Sequence, residues 1–101
     1  MLHMEYKQYK ATLDSYLPPN LEAGTVLSKI TRIEPNTFQL NGKETKGMRV
    51  FADGGKEYRT SSSVIMNQLE AFFKTHPNET MDNVKVVAPR GKQYLSLEPS
   101  Q

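Results

Sequence analysis

Thr25-Val26-Leu27-Ser28-Lys29-Ile30-Thr31-Arg32-Ile33 is the stretch on which the fold turns. It is crowded with β-branched residues, whose stiff side chains pack well on a pleated surface, and it predicts one long strand. Its alternation slips between Ile30 and Ile33, as a β-bulge or a strong bend would require. Glu34-Pro35-Asn36 follows and predicts a turn.

Toward the C-terminus, Thr37 to Asn41 reads as a strand with Phe38 and Leu40 on one face. Asn41-Gly42 is a strong turn signal, and the charged Lys43-Glu44-Thr45-Lys46-Gly47 predicts a longer, exposed loop. Gly47 to Ala52 is the next strand, Asp53-Gly54-Gly55 a tight turn, and Lys56 to Thr60 a strand that pairs back. Ser61-Ser62-Ser63 offers N-caps for a helix from about Val64 to Lys74, with Ile65, Leu69, Phe72 and Phe73 as its buried stripe. Lys74 and His76 suit the negative end of that helix. Asp82 to Ala88 and Gln93 to Glu98 predict a closing hairpin turned at Pro89-Arg90-Gly91, and Pro99-Ser100-Gln101 a frayed tail.

Toward the N-terminus the pattern changes to a helical one. Leu2, Tyr6, Tyr9, Leu13 and Tyr16 are spaced 4, 3, 4 and 3, a single stripe that ends where Leu17 meets Pro18-Pro19. Three tyrosines make it a half-wet stripe, suited to packing on the domain or to an interface with a second copy of the chain. The organisation is therefore a helical extension over residues 1–20, a β domain over 21–98 and a tail over 99–101.

Two predicted strands share an arrangement. Met48, Val50 and Ala52 fall on one face and Arg49 with Phe51 on the other; Leu95 and Leu97 fall on one face and Lys92 with Tyr94 on the other. Each strand pairs an aliphatic side with a side where a cation and a ring stand two residues apart. A ring for stacking beside a cation for phosphate is what a sheet needs to hold single-stranded nucleic acid. The competing reading makes the ring the cap of a second hydrophobic layer, under the N-terminal segment.

The element order, with Thr25–Ile33 as a long bent strand, Gly47–Thr60 as the middle strands, Ser62–Lys74 as a helix and Val84–Leu97 as the closing hairpin, resembles that of small oligonucleotide/oligosaccharide-binding (OB) barrel proteins of the single-stranded-DNA-binding kind. The resemblance covers residues 24–98 and is one of pattern, without a family motif. It implies a mainly β fold, an OB-like barrel of three strands, a helix and two strands, with the N-terminal helix added. An α+β antiparallel sheet with one packed helix fits the same order. It also implies a binding face across the second and third strands, flanked by the loops of the first and last hairpins. Those regions hold Arg49, Phe51, Tyr58 and Arg59, with Arg90, Lys92 and Tyr94 near the closing hairpin and Lys29 and Arg32 on the first strand. Lys56, Tyr58 and Thr60 share a face opposite Glu57 and Arg59, which leaves the facing of Tyr58 open.

At 101 residues, with no cysteine and a formal net charge of only +2, the chain is one small domain without disulfides or thiolate metal sites. An intracellular, cytoplasmic setting follows most simply, and no stretch is apolar and long enough to span a bilayer. Over residues 43–60 five basic residues meet three acidic ones, so any phosphate contacts are few. Enzymatic motifs are missing: His3 and His76 lack metal-ligand spacing, the serine run lacks a nucleophile's context, and Asp53-Gly54-Gly55-Lys56 lacks a phosphate loop's spacing. The expected protein is a binder of single-stranded DNA, or of RNA by the same chemistry, needing no cofactor or metal and reaching useful affinity through self-association or cooperative binding. The rival is a protein-interaction module, an inhibitor or accessory protein of a phage or mobile element, that docks through Leu2, Tyr6, Tyr9, Leu13 and Tyr16.

Overall fold

A computed structural model describes residues 17–100. The predicted N-terminal helix and its stripe from Leu2 to Tyr16 lie outside the described residues. Five strands and one helix follow: β1 (Val26–Leu40), β2 (Lys43–Ala52), β3 (Lys56–Thr60), α1 (Ser63–Thr75), β4 (Met81–Val87) and β5 (Ser96–Pro99). They form one antiparallel sheet in the order β3-β2-β1-β4-β5.

The strand β1 organises the sheet because it pairs with two partners along its length. Val26–Ile30 pairs with β4, and Ile30–Leu40 pairs with β2. The register shifts between Ile30 and Arg32, at the predicted slip. The extra residue lets Ile30 be fully buried and Ile33 pack against the core although three positions separate them.

Two sequence expectations for this region are corrected. Pro35 does not end the strand; it sits inside β1 opposite Met48. Beyond Ile30 no strand among the described residues pairs with the other side of β1, and an edge strand tolerates a residue without an N–H. Nor is Lys43–Gly47 a loop. Asn41 and Gly42 both have positive φ, 53° and 78°, and make a two-residue hairpin turn whose twist matches its flanking strands, so Leu40 pairs directly with Lys43. The charged residues after the turn are strand.

The core joins one face of the sheet to α1. Leu27, Ile30, Met48, Val50, Ala52, Val84, Val86 and Leu97 from the strands meet Ile65 and Leu69 from the helix, with Leu21 from the segment before β1. The Ser62 hydroxyl caps the helix by accepting from the N–H of Ile65, and the N–H of His76 closes its other end on the carbonyl of Phe72. Phe72 and Phe73, expected in the buried stripe, are half-buried and meet edge to face with centroids 5.0 Å apart.

The barrel expected from the sequence is not closed: no pair between β3 and β5 occurs among the described residues. Both outer edges are already occupied. Along β3, the N–H of Arg59 donates to the carbonyl of Pro19 and its carbonyl accepts from the N–H of Leu21, each at 2.8 Å. Along β5, the Gln68 amide from α1 accepts from the N–H of Leu97 at 2.9 Å and donates to its carbonyl at 3.2 Å. A side-chain amide thus supplies the acceptor and donor a neighbouring strand would have offered. The last strand is also shorter than expected, and Gln93 to Leu95 lie outside it. Here the carbonyl of Leu95 accepts from the Ser62 hydroxyl at 3.2 Å. The expected frayed tail is tied down as well: Pro99 belongs to β5, and the N–H of Ser100 donates to the carbonyl of Asn83.

Candidate nucleic-acid interface

The face of the sheet turned away from the core is built by alternation. Glu34, Arg49 and Arg59 lie side by side across β1, β2 and β3, and Arg32, Phe51 and Glu57 form the next row. Met48, Val50 and Ala52 fill the opposite, buried side of β2, as expected. Lys29 precedes buried Ile30 and is exposed; its N–H donates to the Asp53 carboxylate at 2.9 Å, fixing this end of the face against the β2–β3 turn. By register the face carries Arg32, Arg49, Arg59 and, at the hairpin end, Lys43 against Glu34 and Glu57, and Lys29 stands at the other end beside the Asp53 carboxylate.

At the centre of one row, the Arg32 guanidinium lies over the Phe51 ring, 4.0 Å from its centroid. The same group donates to Glu34 at 3.3 Å, with both side chains largely exposed at 61% and 48%. Such a surface ion pair is worth only about 0–1 kcal/mol, so the guanidinium can exchange its carboxylate for another anion. Guanidinium planes stack on nucleobases as rings do, and the Arg32 side chain is exposed enough to offer such a surface.

The neighbouring row is more enclosed. Arg49 donates to Glu57 at 3.1 Å, with side-chain exposures of 26% and 21%. The Nε atoms of Arg49 and Arg59 are buried, without a hydrogen-bond partner among the described residues. Further toward the hairpin tip, Phe38 is 4% exposed although it stands outside the main core. Its ring lies against Gly47, where an added Cβ would come within 2.9 Å of the ring and 2.8 Å of the Thr60 carbonyl oxygen. The outward face is thus most enclosed at Phe38 and most exposed at Lys29 and Arg32, with Arg49, Phe51 and Arg59 half-buried between them. Phe38 is buried and Phe51 half-buried on this face, and the N-terminal segment weighed as a cover for such rings lies outside the described residues.

The remaining sequence-predicted residues are more dispersed. Tyr58 pairs with Val50 and packs against the core, which resolves its facing and separates it from Phe51. Arg90, Lys92 and Tyr94 are all exposed, in the segment between β4 and β5, so the strand alternation expected to align Lys92 with Tyr94 does not operate. Glu34 was absent from the sequence-predicted site, since its place beside Arg49 depends on cross-strand register. Among the described residues no helix is long and apolar enough to cross a membrane. Comparison of the chain with family models, curated proteins and solved structures gave no match.

Proposed function

We propose that this chain binds single-stranded nucleic acid, preferably DNA, across the outward face of β1, β2 and β3. The observation that carries the reading is the Arg32 guanidinium lying over Phe51 on a sheet face with surplus positive charge. A base stacks on that pair, while Lys29 and Arg59 meet phosphates and Arg49 is held by the Glu57 carboxylate. The strand order supports the same reading. β3-β2-β1-β4-β5 with a helix between β3 and β4 is the order of an OB barrel cut open between its third and fifth strands.

The test is a fluorescence-anisotropy titration with a labelled mixed-sequence single strand and its duplex, at low and physiological salt. The single strand is expected to bind more tightly. Two to four phosphate contacts, at about −0.7 each, give a slope of log K against log salt of about −1.4 to −2.8. No binding at low salt, or equal binding of the duplex, refutes the proposal and turns attention to a protein partner.

Glu57→Gln gives a second expected outcome. Losing the carboxylate frees the Arg49 guanidinium for phosphate, and an ion pair of this exposure is worth about 0.5–1 kcal/mol. Affinity for the single strand should rise about two- to fivefold and the salt slope steepen by about 0.7. Unchanged affinity and slope would mean that Arg49 does not reach phosphate even when freed.

A further inference from the structure

Where β3 and β5 fail to meet, the chain leaves a cavity of about 300 Å³. Leu21 and Leu95 give it an apolar floor, Tyr94 an aromatic wall, and Asn20, Gln93 and Ser61 a polar rim. The Thr60 hydroxyl, also in its lining, accepts from the N–H of Ser62, and the Ser62 hydroxyl is engaged with Leu95 and Ile65. No hydrogen bond from the side chains of Asn20, Gln93 or Ser61 to another described residue occurs. At the small end of ligand-site volumes, this space suits one flat ring system.

The chemistry of the lining fits a nucleobase. An exposed tyrosine offers a stacking face. Each of the two amides carries a donor and an acceptor that can match the alternating groups along a base edge. The cavity also adjoins the proposed strand path: Pro19 and Leu21 bond to the backbone of Arg59, so Asn20 is held beside the outermost cation of the sheet face. We propose that this cavity takes a single extruded base of the bound strand, stacked on Tyr94 and read along its edge by Asn20 and Gln93. The inference rests on the single-strand reading above and adds to it: a largely sequence-tolerant binder acquires one position of base preference.

Two measurements on the full chain test it. In the first, each of the four deoxynucleoside monophosphates is titrated into isotope-labelled protein and followed by NMR. Shifts should concentrate at the amides of Ser61, Gln93 and Tyr94, be strongest for one base, and lose that preference in Gln93→Ala. In the second, single strands differing at one position are compared by anisotropy. The best and worst base at that position should differ by about tenfold, near the lower end of what an amide–base pair discriminates. The ratio should fall toward one in Asn20→Ala and Gln93→Ala. Single strands that bind with the same affinity whichever base is permuted, with no monophosphate shifts at the cavity, overturn the base pocket and leave the sheet reading standing. Monophosphate shifts confined to the cavity without any strand binding support the pocket and overturn the sheet reading.

Discussion

Phe51→Ala lowers affinity for a labelled single strand by about 5- to 150-fold at low salt, the range spanned by about 1–3 kcal/mol for one stacked base. The loss has two sources. The ring is half-buried on the outward face and supplies stacking area itself, and it also supports the Arg32 guanidinium, whose carbon lies 4.0 Å from its centroid. Without the ring, Arg32 keeps its charge and its pairing to Glu34, but loses the support that presents its plane to a base. Arg32→Ala should therefore cost nearly as much as Phe51→Ala, and the double variant less than the sum of the two, because the pair acts as one platform. Arg32→Lys separates charge from plane, keeping the first and losing the second. It should recover the salt slope without the affinity. Anisotropy on the four proteins reads the coupling directly. Additive losses would mean ring and guanidinium act separately, and no loss in Phe51→Ala would eliminate the stacking platform.

The platform was half legible in the sequence. Alternation alone puts Arg49 and Phe51 together, because side-chain direction along a strand depends only on period two. That Arg32, and not Arg49, lies over the ring depends on the one-residue shift at Ile30–Arg32, which fixes the row in which β1 meets β2. The spacing of Ile30 and Ile33 announces such a shift but not the resulting register. Tyr58 shows the same division: its strand is plain from the turn at Asp53-Gly54-Gly55, its face only from the pairing with Val50. Misread boundaries have a common origin in local signals overridden by neighbours. Pro35 is a turn residue by habit, yet it stands in a part of β1 that, among the described residues, is paired on one side only. Lys43–Lys46 is charged like a loop because Lys43, Glu44 and Lys46 are exposed, and only Thr45, opposite buried Phe38, is partly covered. Tyr94 alternates like a strand residue, but the Ser62 hydroxyl holds the carbonyl of the adjacent Leu95. Nothing local records that α1 would reach across to the last strand.

That reach makes Gln68→Leu the variant with the largest expected cost to the fold. Gln68 accepts from the N–H of Leu97 and donates to its carbonyl and to the Ser96 hydroxyl. Leucine matches the size of the glutamine but offers nothing to these groups. Since Leu97 is 8% exposed, its backbone groups have little access to water as a substitute. An orphaned buried polar group costs about 1–3 kcal/mol, so loss of the amide should remove about 2–4 kcal/mol if both backbone groups are stranded and relax partly. Urea unfolding should show a lower midpoint at unchanged slope, and the Leu97 amide should exchange with solvent faster than its neighbours in β4. A change within about 0.5 kcal/mol, the range of ordinary surface substitutions, would mean that Leu97 finds another partner. Among the described residues the strand edge that the OB order offers is β3, and using it requires Pro19–Leu21 to leave Arg59. Protection of the Leu97 amide in Gln68→Leu together with loss of protection at Leu21 would then identify a closed barrel as the alternative packing of this chain. Loss of protection at Leu97 alone would leave the open sheet, sealed at one edge by a helix side chain and at the other by the segment before β1, as its stable form.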